Sequence, residues 1–151
     1  MGEGAYSVVA IDSNLCESSP QDLALSSPTP LSFVDIITTS PISCNGFSDG
    51  EVSVQAIDGA GRYVYSIDGG TTTQPTGIFS NLDANFYEFT VIDDNNCTFN
   101  ELYDLSQPQS VNIVSTSVSS DYNGSQISCY GASDGILSVN VSGGTPPYKY
   151  S

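Results

Sequence analysis

ISCNGFSDGEVSVQAIDGAGRYVYS, residues 42–66, aligns without a gap to ISCYGASDGILSVNVSGGTPPYKYS, residues 127–151, with 13 of 25 positions identical at an offset of 85. A second pair lies out of phase with the first: YSVVAIDSNLC at 6–16 matches YEFTVIDDNNC at 87–97, an offset of 81. Similarity at a fixed period is the mark of a repeat architecture, in which each unit buries a continuous core with its neighbours. The order of the matches predicts the C-terminal half of a first repeat over 1–30, a complete central repeat over 31–110, and the N-terminal half of a third over 111–151. The expectation is one whole module between two halves, with both chain ends falling inside modules.

Within the central repeat the apolar pattern has a period of two. Val52, Val54 and Ala56 alternate with Glu51, Ser53 and Gln55, which half-buries a strand. Tyr63, Tyr65 and Ile67 repeat the pattern, as do Tyr87, Phe89 and Val91. Further strands are expected near Leu31–Thr38, Thr71–Gln74, Ile78–Ser80 and Thr98–Leu105, which makes seven. The predicted fold class is all-β: tandem immunoglobulin-like (PKD-like) β-sandwich modules of about 80 residues each. Asp49-Gly50, Asp58-Gly59 and Asp68-Gly69 read as tight turns between strands. The run from Asn81 to Tyr87 has the form of a tyrosine corner, with Leu82, Asn85 and Tyr87 as its structural residues. Asn85 aligns with Gly4, and both residue types tolerate positive φ, so a left-handed residue is expected there.

Composition agrees with short strands joined by turns. Ser, Thr, Asn, Gly and Pro are abundant, and long helices are not expected. Seventeen acidic residues against Arg62 and Lys149 give a net charge of -15, which repels nucleic acid and anionic membrane surfaces. Neither a nucleic-acid partner nor direct membrane insertion is expected. No run of eighteen apolar residues spans a membrane, and no basic start followed by an apolar stretch marks a secretion signal, so export is expected to be encoded elsewhere.

The motifs SCxGxSDGxxSVxVxGGxPPYxYS, NLxAxxY and VIDxNxC resemble the SprB repeat of Bacteroidetes cell-surface proteins. The third module matches best, through Cys129, Asp134, Gly135, Gly143, Gly144, Pro146, Pro147, Tyr148 and Tyr150; the second departs at Ala60, Gly61, Arg62 and Asn96. The resemblance implies a non-catalytic segment of a large, repetitive gliding-motility adhesin on the bacterial cell surface, exported by the type IX secretion system. Its partners would be neighbouring repeats of the same chain and surface polysaccharide. A carbohydrate-binding module with a weak glycan site in each repeat is the alternative.

Catalysis has little to stand on. The chain has no His, which removes Ser-His-Asp and Cys-His systems. Asp93 and Asp94 are adjacent on a strand and point to opposite faces, unsuited to flanking one glycosidic bond. No cofactor is expected, with calcium as the exception: Asp93, Asp94, Asn95 and Asp49 are candidate ligands, since a hard cation needs several oxygens. The competing reading is that Asp and Asn build turns by bonding their own backbone. Tyr63, Tyr65, Tyr148 and Tyr150 alternate as core residues do, whereas Phe47 and Tyr130, in the turns after Cys44 and Cys129, are candidates for an exposed aromatic surface.

The four Cys lack a CxxC pair. Counting within a module favours Cys44 with Cys97, closing a loop of about 53 residues, which the chain-entropy model values at roughly 4 kcal/mol. Against it, the start of the second strand and the end of the penultimate strand of such a sandwich lie at opposite ends. A bridge between modules, or reduced thiols, remains open. The two half-modules are complementary, one supplying late strands and the other early ones, so strand exchange between chains is a further expectation.

Overall fold

The computed structural model describes residues 1–151 and contains ten strands and no helix. In order they are β1 (Gly4–Val8), β2 (Gln21–Leu25), β3 (Ser32–Ser40), β4 (Gly50–Ile57), β5 (Tyr63–Ser66), β6 (Ile78–Leu82), β7 (Asn85–Asp93), β8 (Thr98–Leu105), β9 (Asn112–Val118) and β10 (Leu137–Ser142). All named strand pairs are antiparallel.

The six middle strands form two three-stranded sheets, in the orders β3-β4-β6 and β5-β7-β8. These orders coincide with the ABE and CFG pairings of immunoglobulin-type sandwiches. The two sheets face each other across one core. Val52, Val54 and Ala56 come from β4 and Phe79 from β6; Tyr65, Phe89, Val91 and Leu105 come from the opposite sheet. Phe79 and Phe89 meet across the layers with ring centroids 5.2 Å apart, and the Thr38 and Tyr103 hydroxyls lie 2.9 Å apart where β3 approaches β8. Alternation in β4 is complete over Gly50–Ala56, every second residue being buried, because each strand has core on one side and water on the other.

The strand expected over Thr71–Gln74 is not formed. Only the isolated Tyr65–Gln74 bridge remains of it, so the central unit has six strands rather than seven. The backbone there is committed locally. Ser66 Oγ accepts the N–H groups of Asp68 and Gly70, the Asp68 carboxylate accepts the N–H of Thr72, and Gly69 and Gly70 have positive φ. A segment so bonded has no free edge to lend a ladder.

Two further expectations need correction. Asp58-Gly59 is a turn with both φ values positive, but Gly50 is the first residue of β4 and is buried. A Cβ on it would come within 3.0 Å of Leu105, Ile42 and the Leu82 carbonyl, so this glycine serves close packing rather than a turn. The left-handed residue before β7 is Asn81, with φ 60°, not Asn85. Asn85 starts β7, and its side-chain oxygen accepts the N–H of Phe86.

Outside the sandwich, β1 pairs only with β2, and β9 only with β10. Their burial differs sharply from that of the middle strands: β2 and β9 are exposed along their whole length.

Candidate functional site

The densest polar cluster is the turn between β7 and β8. Asp93, 5% exposed, accepts the N–H of Asn95 (2.9 Å) and of Cys97 (2.8 Å) on Oδ1, and that of Ala60 (2.9 Å) on Oδ2. Burial alone would raise its pKa, but the amides of Cys97, Ala60 and Asn95 outweigh that and hold it below the ordinary Asp value. Asp94 turns the other way and accepts the N–H of Arg62 at 3.0 Å. Asn96, with φ 61°, completes the reversal.

The same turn occurs in the first repeat. Asp12 Oδ1 accepts the N–H of Asn14 and of Cys16, each at 2.8 Å, and Leu15 takes the left-handed φ of 67° in place of Asn96. A Leu at that position shows that the shape of the turn, not an Asn oxygen, is what recurs.

Asp49 lies before β4, in the other sheet. It accepts the N–H and hydroxyl of Ser43, which lower its pKa. Asp134 accepts the N–H of Ser128 in the corresponding place, and Ser128 likewise lowers its pKa. No group of three or more His, Cys, Asp or Glu side chains is arranged to hold a metal ion. Asp49, Asp93 and Asp94 are therefore not gathered into one such group, and the oxygens of Asp93 and Asp49 are directed at protein donors.

Tyr87 donates its hydroxyl hydrogen to Asp83, whose carbonyl and carboxylate oxygens lie 3.0 and 2.5 Å away. Burial, reinforced by the bond to and charge of Asp83, pushes its pKa up to about 12. Tyr6 makes the same backward bond to the Gly2 carbonyl at 2.6 Å. Leu82 ends β6 and packs against the core. Tyr63 bonds to the Asp58 carbonyl at 2.7 Å, and Tyr148 to the Gly143 carbonyl at 2.5 Å. Each of these four tyrosines ties down a turn.

Two carboxylate networks escaped the sequence reading. Asp68 receives the hydroxyls of Ser66 and Thr72 at 2.6 Å each and the Thr72 amide, which pull its pKa to about 2. Glu51 bridges Thr39 and Ser80 at 2.8 Å each, Thr39 being the larger cause of its lowered pKa. The SxD…T spacing around Asp68 was visible; the cross-strand triple at Glu51 required the register of β3, β4 and β6.

Cys44 and Cys97 sit at opposite ends of the sandwich. Asn45 and Gly46 bond to Pro108 and Gln107, just beyond the end of β8. Cys97 precedes the start of that strand. Eight residues of strand separate the two places by roughly 25 Å, against the Cα separation of about 4.4–6.8 Å that a disulfide needs. The Cys44–Cys97 pairing is thus removed, and all four thiols are free and exposed.

Among the aromatics, Tyr65 is buried and Tyr63, Tyr87 and Tyr103 pack against the core. Phe47 and Tyr130 are exposed, at 54% and 107%, but neither stacks with a second ring. Two apolar hollows lie in the third repeat, both lined by Val139 and Tyr150. No buried side-chain polar atom lacks a partner.

A family model described as SprB repeat matches residues 36–72 and 122–151. No curated protein and no solved structure matches the chain.

Proposed function

The chain belongs to the SprB repeat family through residues 36–72 and 122–151, and from that membership we propose that it is a non-catalytic segment of a large secreted cell-surface adhesin, a stalk or adhesive array used in attachment and gliding. One observation carries the reading. The polar residues of the repeat motifs bond their own backbone in equivalent ways in successive repeats: Asp93 and Asp12, Asp49 and Asp134, Tyr87 and Tyr6, Tyr63 and Tyr148.

Residues preserved for a reaction or a ligand would leave donors or acceptors facing an open cleft. Here the motif serves the shape of the module, as a spacer multiplied along a filament requires. The net charge of -15 keeps such a filament soluble. The packed central tyrosines favour this role over a carbohydrate-binding module, which calls for an exposed aromatic pair beside amide or carboxylate groups.

The experiment is surface labelling of intact cells with an antibody against residues 31–110, followed by an attachment assay with its Fab fragment. Staining of unpermeabilised cells and reduced attachment are expected. Staining only after permeabilisation would overturn the proposal. A glycan array separates the alternative: saturable glycan binding abolished by Y130A or F47A would favour the carbohydrate-binding reading.

A further inference from the structure

We propose that successive repeats are held in one fixed orientation by a tied connecting strap, so that an array of them is a stiff rod rather than beads on a flexible string.

The chain contains two such straps, equivalent at an offset of 80. Residues 26–31 lie between Leu25 of β2 and Ser32 of β3, and residues 106–111 between Leu105 of β8 and Asn112 of β9, six residues in each case. They read SSPTPL and SQPQSV. Short polar connections with nothing to bond behave as flexible coil. Neither strap is of that kind.

The second residue of each strap is tied to the repeat it leaves. Gln107 Oε1 accepts the N–H of Gly46 at 2.6 Å, and the carbonyl of Pro108 accepts the side-chain amide of Asn45 at 3.1 Å. Both donors sit in the turn that precedes β4, closed by the Phe47 N–H on the Cys44 carbonyl. In the other strap Ser27 donates its hydroxyl to the carboxylate of Glu3, next to β1. The bonding groups differ, but the position of the tie is the same.

The fourth residue is tied to the repeat it enters. Gly59 N–H donates to the Thr29 carbonyl at 3.0 Å, and Gly144 N–H to the Gln109 carbonyl at 2.7 Å. These bonds prolong equivalent ladders, since Ser32 pairs with Ile57 and Asn112 with Ser142. Asn112 Nδ2 also donates to the Ser110 carbonyl at 2.9 Å. The turns press close: a Cβ on Gly144 would lie 2.4 Å from Val111, one on Gly143 2.0 Å from the Ser110 carbonyl, and one on Gly59 3.1 Å from Leu31.

Between the two ties stands a proline, Pro28 or Pro108. Its ring fixes its own φ at about −65° and keeps the residue before it extended. A single peptide bond, Pro108–Gln109, therefore joins the last residue tied to the central repeat to the first tied to the third. A strap so held has no slack with which to reorient one repeat against the next.

The inference deepens the stalk reading and rests on it for the use of stiffness, not for the geometry, so surface staining and strap rigidity can fail separately. The test is 15N relaxation and residual dipolar couplings measured on the full 151-residue chain. Backbone order parameters at Gln107, Gln109 and Ser110 should match those of β7, at about 0.85. One alignment tensor should fit the amides of the central repeat together with those of β9–β10. N45A combined with Q107A should lower the order parameters of the strap and split the alignment in two. Insertion of Gly-Ser-Gly-Ser between Pro108 and Gln109 leaves every tie available while adding slack, and should split the alignment without touching the turn before β4. Strap order parameters below about 0.6 in the unmodified chain overturn the proposal, as does a separate tensor for β9–β10. An insertion or a double variant that keeps the single tensor overturns it too, because something other than the strap would then hold the repeats.

Discussion

The carboxylate of Asp93 accepts the backbone N–H of Cys97 across four residues at 2.8 Å, and the same bond closes the Asp12 turn on Cys16 at 2.8 Å. An ionised acceptor strengthens such bonds, and in Asp93 both oxygens are used, since Oδ2 also holds Ala60 of the neighbouring loop. Asn can replace one oxygen but offers an amide where Ala60 needs an acceptor. Thermal melting should therefore rank native above D93N above D93A, with D94A, which loses only the Arg62 contact, costing less than D93A. Equal midpoints for D93A and the native chain would show that the turn holds without its carboxylate.

Acid should weaken the central sandwich. Asp68, at about 2, and Asp49, Asp93 and Glu51 all have pKa values below their ordinary 3.8 and 4.5. A depressed folded pKa means that the unfolded chain binds the proton more readily, so the stabilisation is present above the ordinary pKa and lost as pH falls through the folded one. The urea midpoint should be level above about pH 5 and fall between about pH 4.5 and pH 2. D68N should flatten the lower end of that fall. A midpoint unchanged over the window would contradict the carboxylate assignments.

At alkaline pH one phenol should stand apart. Tyr87, raised to about 12, contributes stability that is complete below pH 10 and disappears as pH rises through 12. Its phenolate absorbance should appear last among the tyrosines, and Y87F should remove that late step while costing about 1 kcal/mol for the lost hydrogen bond. Loss of no late-titrating phenol in Y87F would place the raised group elsewhere.

The core has one aromatic centre. Phe89 is fully buried and meets Phe79, Tyr87 and Tyr103 at centroid distances of 5.2, 6.2 and 6.2 Å. F89A should cost about 3–5 kcal/mol in chemical denaturation, a large share of the ~5–15 kcal/mol typical of a domain. Exposed Leu102 provides the contrast, with L102A expected within about 0.5 kcal/mol. G77A should be as harmful as F89A, because a Cβ there would overlap the Val54 carbonyl.

Cys44 and Cys97 should both react with a thiol reagent in the native chain without prior reduction. A disulfide between them recovered by peptide mapping under native conditions would contradict their placement at opposite ends of the sandwich.

Much of this fold was legible from alternation alone. The segments around Val52–Ala56, Tyr63–Tyr65 and Tyr87–Val91, where the pattern has a period of two, lie in β4, β5 and β7, since a strand with one buried face must alternate. The errors came where local hydrogen bonding competes with pattern. Thr71–Gln74 has strand-forming residues, yet Ser66 and Asp68 capture its backbone first. Gly50 looked like a turn glycine because Asp precedes it, and only the approach of Leu105 and Ile42 reveals why a side chain is excluded. For the candidate site, the Asp93 cluster was visible as composition, but which donors its oxygens face was not, because Ala60 is 33 residues away in sequence.

The sequence by itself determined the repeat, its phase, the all-β class and the apolar faces, because these depend on periodicities along the chain. Tertiary structure alone decided which carboxylates are spent on backbone and that Cys44 and Cys97 are far apart. Those properties depend on distances between segments remote in sequence, and such distances exist only once the two sheets have closed on a common core.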